Sequence, residues 1–248
     1  MSDVPTRPFE PVIRPAGLDG VLVSFGESLS EPANRAALAF SVAVAKAGID
    51  GVEDCAPSLV SVFVQFDPLH LELDALTARL TALLGERDWF AAPMPEGRRF
   101  IRVPTVYGTE LAPQLEEAAQ AAGVSVAEAI AQLSDARVRV QTIGFAPGQP
   151  YLGLLPEHWD IPRQTALTKA VPEGALVVAI RQFVLFSVSS PTGWRHVGQT
   201  ALKLFRPDSD MPFFLRPGDE VQFVEASADV LARHADDPDG GAVIEAIR

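Results

Sequence analysis

The chain has 248 residues, 48% of them hydrophobic, with 20 basic against 32 acidic side chains and a formal charge of −12. An apolar share that high excludes intrinsic disorder, and the length supports one or two domains with a real core. The negative balance argues against nucleic acid or an anionic membrane as partner, and a single cysteine, Cys55, excludes an internal disulfide or a zinc cluster.

The opening residues, MSDVPTRPFEPVIRP, hold no apolar stretch bounded by a small-residue cleavage site. The longest apolar runs, such as Leu176 to Ile180, fall far short of a bilayer span. Together with the lone cysteine, this favours a cytoplasmic location and no membrane association.

Val12 to Phe25 reads as two short strands around the turn Pro15 to Gly20. Ser30, Glu31 and Pro32 form a helix start, because a Ser side chain accepts an orphan amide and Pro is tolerated in the first turn. That helix runs to Lys46 and ends at Gly48. A strand from Leu59 to Phe66 and a helix from Leu73 to Leu84 complete a βαβα unit, giving an N-terminal α+β domain over residues 1–92.

Pro93, Pro95 and Gly97 mark a linker. Beyond it the spacing predicts a strand at Phe100 to Val106, helices at Leu111 to Ala122 and Ser125 to Leu133, and a strand at Val138 to Ile143. Ser125 and Glu128 have capping-box form. Short apolar runs punctuated by Gly and Pro follow, at 175–180, 183–189, 196–205 and 220–224. Such texture argues for a small β-barrel or sandwich, placed at residues 97–225. Residues 226–248 read as an acidic tail or linker.

The densest segment is Gly144-Phe145-Ala146-Pro147-Gly148-Gln149-Pro150-Tyr151-Leu152-Gly153. Three Gly and two Pro in ten residues fit a shaped loop better than a buried regular element. Either its backbone amides receive an anionic or amide ligand, with Phe145 and Tyr151 as walls, or it is a barrel corner whose Gly and Pro only fix its path. A second cluster, Ser190-Pro191-Thr192-Gly193-Trp194-Arg195-His196, puts a turn, an aromatic and an acid–base group together. His196 either moves a proton or merely alternates along a strand. Arg163 is either a bidentate carboxylate clamp or a solvated side chain.

Other chemistry is thin. His70, His158, His196 and His234 show no metal-ligand spacing, and no metal site is expected. Cys55 follows Glu53 and Asp54, which disfavour a thiolate. There is no Gly-x-Ser-x-Gly elbow, phosphate loop or dinucleotide fingerprint, so any ATP is bound by another chain and catalytic residues stay unassigned.

Taken together, Gly144 to Gly153, Ile161-Pro162-Arg163, Val171-Pro172-Glu173-Gly174, Ser190 to Trp194, Gly198 to Phe205 and Leu215 to Asp219 resemble one family. It is the family of the B subunit of 5-oxoprolinase, allophanate hydrolase subunit 1 and the sporulation-kinase inhibitor. The same unit is similar to part of the carboxyltransferase region of urea carboxylase. The resemblance implies an N-terminal α+β domain followed by a cyclophilin-like β-barrel, working with a homologous-fold subunit and a third subunit. It further implies ATP-dependent opening of a small amide or lactam by that complex, no cofactor held by this chain alone, and a site at Phe145, Gly148, Tyr151, Arg163, Gln182 and Trp194. A shared barrel does not imply isomerase activity.

This chain departs from the family pattern at identifiable places. Gln149 and Leu154 stand in a segment that usually reads Gly-Phe-Pro-Tyr-Leu-Gly-Gly. Leu133 replaces a His, Ala179-Ile180 replaces Gly-Gly, and Thr192 replaces the first Gly of Ser-Pro-Gly-Gly-Trp. Ala-Ile for Gly-Gly adds volume and resists positive φ, which would keep the backbone from a ligand. These changes are expected to cluster in the pocket, and they favour the alternative of a regulatory binding protein of the kinase-inhibitor type. Val243 to Arg248 is similar to the opening strand of the family's partner subunit, so the end of the chain reads either as a link to a fused partner or as an ordinary tail.

Overall fold

In a computed structural model, residues 9–247 are described. The opening segment Met1 to Pro8, and Arg248 of the C-terminal motif, lie outside the described residues. Contacts divide the chain into two compact units, one through Pro95 and one from Glu96.

In the first unit, β1 (Val12–Pro15), β2 (Gly20–Ser24), β3 (Val52–Pro57) and β4 (Ser61–Phe66) form an antiparallel sheet in the order β1-β2-β4-β3. Helices α1 (Glu31–Ala47) and α2 (Leu73–Leu84) supply the apolar faces of its core. Alternation explains the sheet: Val62, Val64 and Phe66 on β4 are buried with Val21 and Val23 on β2, and all meet Phe40 of α1 and Leu76 and Leu80 of α2 in one cluster. The Ser30 side chain accepts from the Ala33 amide at 3.3 Å, and Gly48 ends α1 in a left-handed conformation that costs Gly little. Strand β3 is an addition to the expected elements. It is an edge strand whose Glu53, Asp54 and Ala56 face solvent, so it carries no apolar alternation to read.

The second unit begins with β5 (Arg99–Tyr107), α3 (Leu115–Ala122), α4 (Val126–Asp135), β6 (Arg137–Ile143) and β7 (Pro150–Gly153). It continues through β8 (Thr168–Val171), β9 (Ala175–Ala179), β10 (Gln182–Leu185), β11 (Ser190–Thr192), β12 (Arg195–Gln199), β13 (Glu220–Glu225), α5 (Ala228–Arg233) and β14 (Val243–Ala246). Hydrogen bonding runs β12-β9-β10-β7-β6-β13-β5, and β12 pairs back onto β5 at Gly198–Tyr107 and Gln199–Val106. Among the described residues this is a closed barrel of seven strands, the cyclophilin-like architecture anticipated from the resemblance. Its interior is packed with Ile101, Val103, Val140, Leu152, Leu176, Val178, Phe183, Leu185, Val197, Val221 and Phe223. Strands β8 and β11 pair apart from the barrel as a small side sheet.

Two expectations change here. The segment 144–153 is half loop and half barrel strand: β7 sits between β6 and β10, with Pro150 at its first position, where a missing donor is tolerated. Residues 226–247 do not hang free of the barrel: they form α5, and then β14 pairs antiparallel with β5, Val243 opposite Arg102 and Ala246 opposite Arg99. Gly240 fits so closely that an added Cβ would meet the Leu202 amide nitrogen at 2.4 Å.

Candidate functional site

The loop from Gly144 to Gln149 is closed by its own backbone. The Gly144 amide donates to the Gln149 carbonyl at 3.0 Å, and the Gln149 amide to the Ala146 carbonyl at 3.1 Å. Phe145 is held at φ +73°, a conformation unfavourable for an aromatic residue, and the residue is 76% exposed. Beyond the loop, strand β7 presents Tyr151 on the outer face of the barrel, because strand residues alternate and Leu152 faces inward.

That outer face carries its own apolar cluster: Val177 and Ala179 of β9, Val184 of β10, Phe186 after it, and Trp194, with Tyr151 packed against them. A cavity of about 280 Å³ opens on it. It is lined by Phe145, Gln149 and Tyr151 from the loop and β7, Val184 and Phe186 from β10 and just after it, and Arg163, Gln164, Leu167 and Pro191 to Trp194. The Tyr151 and Trp194 rings meet edge to face, centroids 6.2 Å apart.

Arg163 lies over the Trp194 ring, its guanidinium carbon 5.4 Å from the centroid. The neighbouring Gln164 fixes this arrangement. Its side-chain amide donates to the Trp194 carbonyl at 2.9 Å, its carbonyl accepts from Gln114 at 2.9 Å, and its backbone amide donates to Gly193 at 2.6 Å. The Trp194 amide in turn donates to the Thr192 hydroxyl at 3.0 Å. The cavity therefore has one cation, two carboxamides, the hydroxyls of Thr192 and Tyr151, and aromatic walls. Its lining includes no carboxylate, imidazole or thiol.

Of the six residues expected from the sequence, Phe145, Tyr151, Arg163 and Trp194 converge on this cavity, while Gly148 and Gln182 do not line it. Gly148, at φ +72°, is buried against the 204–213 segment, where a Cβ would meet the Leu204 carbonyl oxygen at 3.0 Å. Gln182 lies at the turn end of the β9–β10 hairpin and its side-chain amide donates to Gln141 Oε1 at 2.7 Å. Gln149 and Gln164 line the cavity without belonging to the expected set. Gln164 directly follows the Ile-Pro-Arg motif, and that adjacency is its one signal in the sequence.

The departures from the family pattern separate in space. Gln149 and Thr192 line the cavity, whereas Ala179, Ile180 and Leu133 do not. Leu133 is part of the barrel core. Positive φ is adopted at Ile180 (+43°) and Arg181 (+61°) without any glycine. The turn is pinned instead by Ile180 donating to Ile161 at 2.8 Å and Arg181 to Trp159 at 3.0 Å. The Ala-Ile pair therefore does not line the cavity, although Ala179 packs in the apolar cluster beneath it, and tertiary hydrogen bonds hold the strained turn.

His196 is buried, and burial holds its imidazole below the ordinary value, against the opposing hydrogen bonds of Gly198 and Gln199. Neutral and outside the cavity lining, it is no proton carrier for that site. Burial, then the Asp54 carboxylate, push the Cys55 thiol up to about 11. No group of three or more His, Cys, Asp or Glu side chains is placed to hold a metal among the described residues. Nor is any helix among them long and apolar enough to cross a membrane.

A closed seven-stranded barrel with a lateral cavity on its outer face, preceded by an α+β unit, defines a cyclophilin-like barrel protein. The family described as carboxyltransferase domain, subdomain C and D, matches residues 11–215, and the chain belongs to that family. It is 30% identical over 223 residues to the B subunit of 5-oxoprolinase from Bacillus subtilis (strain 168), a match covering 87% of this chain and 92% of that protein. Against the B subunit of 5-oxoprolinase from Escherichia coli O157:H7 it is 39% identical over 158 residues, 64% of this chain and 70% of the other. The crystal structure of TTHA0988 superposes with a TM-score of 0.72 at 31% identity, covering 85% of this chain and 40% of that one. This chain thus spans well under half of TTHA0988. The urea amidolyase of Kluyveromyces lactis shares the fold, with a TM-score of 0.71 at 18% identity over 95% of this chain and 16% of its own.

Proposed function

We propose that this chain is the substrate-holding subunit of an ATP-dependent C–N hydrolase of the 5-oxoprolinase or allophanate hydrolase type. The observation that carries the reading is Arg163 poised over Trp194 at the rim of a small aromatic cavity. At about 280 Å³ the cavity sits at the small end of ligand sites, which run from roughly 300 Å³ upward. It suits a compact amide or lactam carrying a carboxylate. Arg163 offers that carboxylate a two-pronged donor, and Tyr151 and Trp194 hold the apolar ring.

The lining has no carboxylate, imidazole, thiol or ammonium to act as base or activated nucleophile, so the groups that activate and cleave the amide come from other chains. A homologous-fold subunit, separate or fused, closes the site, and a third subunit supplies ATP chemistry. The 5-oxoprolinase relatives, each one subunit of a larger enzyme, support this division of labour. A cytoplasmic setting fits that metabolic role. The regulatory alternative drew on substitutions at Ala179, Ile180 and Gln149; the first two do not line the cavity and lend it no support, while Gln149 lines it and is an altered position of the pocket.

The test is co-expression with the homologous-fold and third subunits, followed by ATP hydrolysis with and without 5-oxoproline. Stimulated hydrolysis is the expected result. A complex inert toward every lactam and urea derivative tried would overturn the reading.

A further inference from the structure

Gln149 is only 1% exposed, lines the cavity, and its Oε1 atom has no hydrogen-bond partner. A buried carbonyl oxygen left unpaired is costly, and native structures tolerate it where a ligand or water completes it. The position is fixed from both sides: the backbone of Gln149 closes the 144–149 loop, and Pro150 starts β7 directly after it. Around it the lining is largely apolar, Val184 and Phe186 offering no donor, and neither the Tyr151 hydroxyl nor any other group of the described residues bonds the oxygen. Arg163 is the cationic donor of the lining and stacks on Trp194.

We propose that Gln149 is the specificity-determining residue of this cavity, its Oε1 accepting a hydrogen bond from an N–H of the ligand. This rests on the reading above that the cavity holds a small amide or lactam carboxylate. The cavity then reads its ligand at two points: Arg163 takes the carboxylate and Gln149 takes the amide edge. A ligand of identical shape with an ester oxygen in place of N–H meets the Gln149 oxygen lone pair to lone pair and is rejected. A site built to bond a donor discriminates strongly against the analogue that lacks it.

The experiment is calorimetric titration of the chain co-purified with its homologous-fold subunit, using 5-oxoproline and its lactone isostere, 5-oxotetrahydrofuran-2-carboxylate. The wild-type chain is expected to favour the lactam by at least about tenfold. In Gln149→Leu and in Gln149→Met, which keeps the length of the side chain, the two affinities should converge, chiefly through weaker lactam binding. Equal affinities in the wild-type chain would overturn the role of Gln149 while leaving the carboxylate-binding cavity standing. A lactam preference that survives in both variants would do the same. Heat from neither ligand would remove the functional reading itself, and this proposal with it. The wild-type comparison requires no variant to fold.

Discussion

The Arg163 guanidinium carbon stands 5.4 Å from the centroid of the Trp194 ring, and the two residues are tied through Gln164, which hydrogen-bonds the Trp194 carbonyl. A long flexible side chain normally loses rotamer entropy on capturing an anion. Stacking on a buried indole meets part of that cost before the ligand arrives. It also leaves Arg163 exposed, within reach of a ligand carboxylate.

Arg163→Lys should therefore behave as a severe change rather than a conservative one. A Lys ammonium keeps the charge but loses both the fork and the planar stack. Binding of 5-oxoproline should weaken by at least about tenfold, the scale of one charge-assisted hydrogen bond. Binding of 2-pyrrolidone, which lacks the carboxylate, should be unchanged. Because Arg163 is exposed, thermal stability should move little, and equal losses for both ligands would count against the clamp.

The same neighbourhood shows what sequence can and cannot carry. Tyr151 and Trp194 are legible because each sits in a segment marked by Gly and Pro, and Arg163 because it closes the Ile-Pro-Arg motif shared with the family. Gly148 comes from the same motif, yet its conformational freedom serves a close approach to the Leu204 carbonyl rather than to a ligand. Gln182 fails for a different reason. Strand alternation fixes which face a residue occupies, but only the hairpin register shows that Gln182 is at the turn end and Val184 at the cavity end. Strand β3 and the short pair β8 and β11 escape notice because edge and side strands lack an apolar period. Helices α1 and α4 announce themselves through their Ser caps and β4 through alternation.

His196 gives the chain a pH dependence. Burial holds its imidazole below the ordinary 6.5, so the folded state binds its proton less well than the unfolded state does. The stability it contributes is fully present above about pH 6.5 and is lost as pH falls through the folded value. Urea midpoints measured from pH 8 to pH 5 should decline below pH 6.5. His196→Gln should flatten that decline relative to the wild type. A wild-type midpoint that stays level over the same range would contradict the assignment.

Cys55 should be a sluggish nucleophile. Its thiol is pushed from 9.0 to about 11, which lowers the thiolate fraction at pH 8 by about a hundredfold, and alkylation requires the thiolate. Iodoacetamide should label the native chain about a hundredfold more slowly than the chain in urea. The raised value also stabilises the fold below pH 9, an increment that fades as pH climbs toward 11. Native and unfolded chains labelling at equal rates would show a thiol far more open than the structure places it.

The docking of the last 20 or so residues hinges on Gly240. It adopts φ +58°, and a Cβ there would meet Leu202 N at 2.4 Å and Ala201 C at 2.6 Å, backbone atoms that cannot swing aside. Nearby, Lys203 donates to the Pro238 carbonyl at 3.0 Å and Arg206 pairs with Asp239 at 2.7 Å. Gly240→Ala should therefore cost at least about 2 kcal/mol locally, from the left-handed backbone and the clash together. The loss should be felt first where the segment adds β14 to β5, through the pairing of Ile244 with Ile101. Hydrogen exchange of a peptide spanning 242–247 should accelerate markedly while β9 and β10 keep their protection, because the closed ring β12-β9-β10-β7-β6-β13-β5 does not include β14. A tail that merely trails from the barrel would exchange fast in the wild type and show no response to the substitution.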